Sequence, residues 1–134
     1  MILVDTTVWI DYLAGRETMQ ASHLDRLMEG REYLCTCGVV MTEVLQGIGD
    51  EREHGRTLEV LGDLIYLPME RDAFVHAARI YRKLRAKGIT IRNSVDCMIA
   101  AVAMESGASL LHHDRDFDRI AAIFPLEAVA LRGS

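Results

Sequence analysis

Short, unbroken apolar runs alternate along the chain with longer stretches in which apolar residues recur every three or four positions, and that alternation predicts an α/β fold. Residues 1–4 are apolar throughout and end at Asp5, as expected of a strand covered on both faces. Comparable runs at 33–37, 64–67 and 108–111 predict three further strands, and 128–131 a last one. Thr6 or Thr7 is expected to cap a first helix that carries Val8, Trp9, Tyr12 and Leu13 on one side and stops at Gly15. Further helices are expected over 18–28, 40–48 and 50–62. Asp72 is placed to cap a helix with Phe74, Ala77, Ala78, Tyr81 and Leu84 inward, closed by Gly88. Asn93 or Ser94 then caps a helix with Val95, Met98, Ile99, Val102 and Ala103 inward, ended by Gly107, and a short helix follows from Arg115.

Strands separated by helices cannot pair as hairpins, so the expectation is parallel pairing through right-handed crossovers. The predicted architecture is an open, mostly parallel sheet with helices on both faces. In such sheets a site forms outside the carboxyl ends of the strands, near the point where strand order reverses.

At 134 residues, half of them apolar, the chain is expected to form one domain, residues 1–134, around a single core. Its two prolines mark no linker, and its apolar runs fall far short of the ~20 residues of a membrane span. No basic leader or long apolar leader segment is read at the start, so a cytoplasmic protein is expected. Three cysteines suit a reducing compartment. Cys35 and Cys37 flank one residue and Cys97 lies far away, so buried free thiols are expected rather than a zinc site.

The acidic residues change the picture. Asp5 directly follows the first strand and Asp114 the fourth, while Asp96 and Glu43 fall in or near the first turns of two helices. Singly, each has an ordinary explanation: an acid in a first helical turn complements the dipole, and an Asp after a strand is a turn residue or cap. Jointly, the topology brings all four to one sheet edge. Glu43 lies among Val40, Met41 and Val44, and Asp96 among Val95, Cys97 and Met98, with no Arg or Lys beside either. A carboxylate in an apolar setting is costly unless something compensates it, and a divalent cation is the natural compensator. Oxygen donors alone favour magnesium or manganese over zinc. Asp116 is expected only in support, and Asp118 as a solvated helix residue.

Four blocks now carry a resemblance. These are Val4-Asp5-Thr6-Thr7-Val8-Trp9-Ile10-Asp11, Thr42-Glu43-Val44-Leu45-Gln46-Gly47, Asn93-Ser94-Val95-Asp96-Cys97-Met98-Ile99-Ala100-Ala101 and Asp114-Arg115-Asp116-Phe117. Each is weak alone, but the four in order and at matching spacing resemble the PIN-domain toxins of the VapC family along the whole chain. The resemblance implies a three-layer α/β/α domain, a magnesium- or manganese-dependent endoribonuclease, and a toxin held inactive by a cognate antitoxin protein. It maps the family's acids onto Asp5, Glu43, Asp96 and Asp114, and a hydroxyl position onto Thr6 or Thr7. The chain departs from it at His112, where many relatives carry Thr. In a strand His112 points with Asp114, so it either contacts the site or packs as a hydrogen-bonded strand residue.

Cleavage of an anionic phosphodiester by an acidic pocket requires cations that reverse the field and lower the pKa of a water. Asp5 and Asp96 are the expected principal ligands, with Glu43 and Asp114 completing the set. A haloacid-dehalogenase-type phosphatase would want a second Asp where Thr7 stands, and a receiver domain a phosphoacceptor Asp where Leu67-Pro68-Met69 stands. An inert PIN-like binding module would keep the acids without activity.

Net charge is −5, which argues against a nucleic-acid partner if spread evenly. It is not spread evenly. Residues 79–95 contain no acid but hold Arg79, Arg82, Lys83, Arg85, Lys87 and Arg92. Arg79, Arg82, Lys83 and Lys87 are expected to point outward, with Arg92 continuing toward Asp96, as a surface for RNA phosphates. A solvated basic face, or a docking face for an acidic antitoxin segment, would look the same in sequence. A homodimer is expected because Trp9, Tyr12, Leu13 and the short helices offer more apolar surface than one thin domain readily covers.

Overall fold

The computed structural model describes residues 1–30 and 33–131. The strands are β1 (Ile2–Val4), β2 (Leu34–Cys37), β3 (Ile65–Leu67) and β4 (Ser109–Leu111). The helices are α1 (Thr6–Leu13), α2 (Met19–Glu29), α3 (Gly38–Gln46), α4 (Glu51–Gly62), α5 (Arg71–Ala86), α6 (Ser94–Ser106) and α7 (Arg115–Ala121). All pairings are parallel, in the order β3-β2-β1-β4. The chain steps from β1 to β2 to β3 in one direction and then returns past both to β4. Right-handed crossovers therefore set α1–α4 on one face and α5–α6 on the other, giving three layers.

β1 is central because both of its edges are occupied. Leu3 pairs Cys35 on one side and Leu110 on the other, and Val4 pairs Leu111. Leu3, Val4, Cys35, Cys37 and Leu110 are all fully buried, which is why these strands read as unbroken apolar runs. The order reverses between β1 and β4, so the switch point lies beside the two strands that run into Asp5 and Asp114.

Several local expectations change. The cap of α1 is Asp5, not Thr6 or Thr7, because its carboxylate accepts from the Thr7 amide. Helix α3 begins at Gly38, two residues early, and Glu70 rather than Asp72 precedes α5. The buried stripe of α5 is Ala73, Ala77, Ile80 and Leu84, while Phe74 is 46 % exposed. This stripe is rotated relative to the expected one because α5 lies along α6, the most extensive helix pair, and alanines permit that close approach. The expected strand at 128–131 is reduced to one parallel bridge, Leu110 to Ala128, since β4 offers only three residues to pair. Gly107 ends α6 at φ 70°, in the left-handed region that glycine adopts without strain. No helix among the described residues is long and apolar enough to cross a membrane.

Because Leu3 is fully buried between two strand neighbours, Leu3→Ala should lower stability by about 2–5 kcal/mol, the usual cost of such a cavity. Urea denaturation at constant m-value measures it.

Candidate active site

The carboxyl end of β1 starts the site. The Asp5 amide donates to the Leu111 carbonyl at 2.9 Å, locking the residue after β1 to the end of β4. Its carboxylate turns back over α1, where Oδ2 accepts from the Thr7 hydroxyl at 2.7 Å and the Thr7 amide at 3.4 Å. The Thr6 hydroxyl donates to Glu43 Oε1 at 2.7 Å, tying α1 to α3. The two threonines thus each fix one acid.

Asp96 stands in the first turn of α6, whose start is capped by Asn93 Oδ1 accepting from the Val95 amide at 3.0 Å. Asp114 caps α7 by accepting from the Asp116 amide at 2.9 Å. That turn carries Asp116 into the site, where it is 1 % exposed and bound by Arg119 Nη1 at 2.7 Å. Oxygens of Asp96, Asp114 and Asp116 lie within 4.8 Å of one another. Asp5, Thr6, Thr7, Glu43, Asp96, Asp114 and Asp116 line one cleft of about 410 Å³, together with Ile10, Gln46, Arg92 and Asn93.

The four acids expected at one edge therefore share a cleft, with Thr6 and Thr7 bonded to two of them. Asp116 lies closer to the centre than an outlying support would. Arg119 and Gln46 were not singled out from sequence, and Asn93 only as a helix cap; for Arg119 the available signal was its i, i+3 spacing from Asp116. Among the described residues, cations reach one side of the cluster only. Arg119 pairs with Asp116, and Arg92 lies 3.8 Å from both Asp114 and Asp116. Among the described residues, no ion pair reaches Asp5, Glu43 or Asp96.

Electrostatics follow from that imbalance. Burial first, then the charges of Asp5, Asp114, Asp116 and Glu43, push the Asp96 carboxyl up to about 7. Burial also raises Asp5, against the opposing hydrogen bonds from Thr7 and the backbone. Such a set of oxygen donors, mutually repelling and short of cations, fits a hard divalent ion. The sulfurs do not compete. Cys35, Cys37 and Cys97 are free and buried, and burial lifts their thiols, Cys97 to about 11.

His112 turns away from the cleft. Its ring packs on Phe117 at 5.0 Å between centroids, and Nδ1 accepts from the Asp114 amide at 3.2 Å. Burial lowers its pKa against the opposing charges of Asp118 and Asp114, and the ring packs so as to steady the Asp114 backbone. Asp118 is exposed, as expected, 3.7 Å from His112 Nε2. Arg79, Arg82, Lys83, Lys87 and Arg92 are all exposed. They do not form one stripe, however: Lys83 sits over the Phe124 ring at 5.3 Å, while Arg82 lies in a groove that Arg92 shares.

The PIN domain family model matches residues 2–123. The VapC ribonuclease Mb1587 of Mycobacterium bovis is 37 % identical over 135 residues, covering 98 % of this chain and all of that one. Two solved structures share the fold. VapBC2 from Rickettsia felis, bound to a DNA fragment from its promoter, aligns at a TM-score of 0.75 and 19 % identity over 96 % of this chain and 98 % of that one. A toxin–antitoxin complex from Klebsiella pneumoniae aligns at 0.68 and 18 % identity over 95 % and 99 %. The chain belongs to the PIN-domain family, among the VapC ribonucleases.

Below its ordinary value of 3.8, Asp96 is protonated both folded and unfolded and has no effect on stability. Between 3.8 and about 7 the folded state keeps a proton that the unfolded state has lost, so stability falls as pH rises, and above 7 the penalty is complete. Asp96→Asn should therefore raise the melting temperature in EDTA at pH 8, with the gain shrinking toward zero near pH 4. Calorimetry at the two pH values checks this.

Proposed function

We propose that this chain is a magnesium- or manganese-dependent endoribonuclease, the toxin of a type II toxin–antitoxin pair, acting through Asp5, Glu43, Asp96, Asp114 and Asp116. The observation that carries this reading is the convergence of these five carboxylates on one open cleft at the switch point of the sheet, with cations, among the described residues, only on its Asp114–Asp116 side. Membership among the VapC ribonucleases supplies the substrate class, RNA.

Asp96, Asp114 and Asp116, with Asp5 and Glu43 lining the same cleft, would hold the ion. The ion, when bound, supplies positive charge for the phosphate and lowers the pKa of a water. The chain's own groups do the rest. Thr7 restrains Asp5 by using Oδ2, which leaves Oδ1 free to ligate. Thr6 occupies Glu43 Oε1, which leaves Oε2 to accept a proton from an attacking water. Arg119 holds Asp116 in orientation from behind. Arg92, 80 % exposed on its side chain and at the rim, is free to swing from the acids to a phosphate oxygen as RNA arrives.

The antitoxin assignment draws on family membership and on the toxin–antitoxin complex that shares the fold. For a homodimer Trp9 offers nothing, because it is fully buried within the protomer's own core, whereas Tyr12 and Leu13 of the expected surface are partly exposed. Phe74 and Val75 on α5 and Tyr66 on β3, each about half exposed, are among the large apolar groups available for pairing, as are Ile10 on α1, Met19 on α2, Tyr33 and Leu58. Sedimentation of antitoxin-free protein at micromolar concentration should give the mass of two chains, and a monomer mass counts against pairing.

Asp5→Asn should abolish RNA cleavage in magnesium while circular dichroism stays unchanged, and EDTA should do the same to the unaltered protein. Arg119→Gln leaves every ligand in place but frees Asp116, so metal affinity or activity should fall about 10–100-fold, as is usual for groups that orient ligands. Full cleavage in EDTA, or by Asp5→Asn, would overturn the reading. For the basic side, replacing Arg82, Lys83 and Lys87 with Gln should weaken RNA binding and flatten its salt dependence, leaving the rate at saturating RNA intact.

A further inference from the structure

A second depression lies beside the acid cleft and has the opposite character. It occupies about 490 Å³, within the ~300–1,000 Å³ of small-molecule sites. Its floor is apolar, from Ala77 of α5 and the buried Ile91. Its walls are the half-buried Tyr81 and Met98. The groove exists because α5 presents Ala77 and Ala78 here; larger side chains at these positions would fill it. Among the described residues no acid lines it, and the charges at its mouth are Arg82 and Arg92.

Arg92 belongs to both depressions. The chain from 91 to 94 is the partition between them: Ile91 and Ser94 line the groove, Asn93 lines the cleft, and Arg92 lines both. Helix α6 likewise sends Asp96 to the cleft and Met98 to the groove. One polymer can therefore occupy both at once if it carries a negative charge at each repeat and a flat apolar group beside it.

We propose that the groove between α5 and the start of α6 is a nucleobase subsite, which takes an unpaired base of the RNA next to the phosphate held in the cleft. This rests on the ribonuclease reading above. Arg92 would sit between the two, under the sugar–phosphate link, and Arg82 at the outer end would meet the next phosphate. Tyr81 offers the base an aromatic surface and Met98 a polarizable one. The Ser94 hydroxyl is the polar group available to an edge of the base. An apolar segment of a partner protein suits the site less well, because it would cover two guanidinium groups without neutralising them.

The probes are a fluorescein-labelled single-stranded octaribonucleotide and an abasic ribose–phosphate chain of equal length and charge. Binding is read by anisotropy with calcium in place of magnesium, which keeps the cleft neutralised. The unaltered protein should bind the base-bearing chain about tenfold more tightly, the effect of roughly one stacked base. Ala78→Leu, an exposed helical position, fills the groove without approaching the acids and should remove that preference. Tyr81→Ala should remove it as well, and Tyr81→Phe should keep it. Affinity for the abasic chain should be the same in all four proteins.

If Ala78→Leu and Tyr81→Ala retain the preference, or weaken both probes equally, the subsite is wrong. If Ala78→Leu instead changes the sedimenting mass without changing the preference, the groove is an interface between copies, and the subsite is again wrong. A failure of the ribonuclease reading looks different: the unaltered protein would neither cleave RNA in magnesium nor bind either probe.

Discussion

Mutual repulsion among the carboxylates sets the terms for everything around them. Five acids line one cleft, and at Asp96 burial first and the charges of the other four second push the carboxyl up to about 7. Each of the others has been given a partner that resists the repulsion: Thr7 for Asp5, Thr6 for Glu43, the Asp116 amide for Asp114 and Arg119 for Asp116. Helix starts help in the same way. Asp5 and Asp114 cap α1 and α7, and Asp96 lies in the first turn of α6, so partial positive charge from three helix ends faces the acids. A bound cation would relieve the repulsion that remains.

The sheet makes the convergence possible. With β1 between β2 and β4 in parallel, residues that follow two different strands emerge side by side, although 109 positions separate Asp5 from Asp114. The hydrogen bond from the Asp5 amide to Leu111 continues the ladder by one residue and makes the two acids neighbours. The three buried thiols lie in β2 and α6, inside the core, where their raised pKa values keep them out of the chemistry.

How much of this was legible in the sequence depended on range. β1, β2 and β4 were readable because burial on both faces leaves little alternation, and Asp5 and Asp114 stood out because one follows such a run directly and the other by three residues. Asn93 was readable as a cap, since the residues after it carry helical periodicity. The face of α5 was not: its contact with α6 is made through Ala73 and Ala77, and alanine is neutral in an amphipathic pattern, whereas Phe74 looks like a core residue and is half exposed. The weight of Asp116 was hidden because it depends on the turn of α7 that brings Arg119 behind it. The groove beside Arg92 was hidden for the same reason as the α5 face, since a concavity between two helices appears only once their packing is known.

Each acid of the cleft is attached to a regular element, either within a helix or at the junction of a strand and a helix. Among the described residues, neither α2, nor α4, nor the connections beside them lend a side chain to the cleft. Those connections are therefore free to lengthen, shorten or change composition while the acids keep their places. A lineage built on this plan can redesign its contacts with partners on one flank and leave its chemistry undisturbed, so diversity of recognition and constancy of reaction are separable traits in such a small chain.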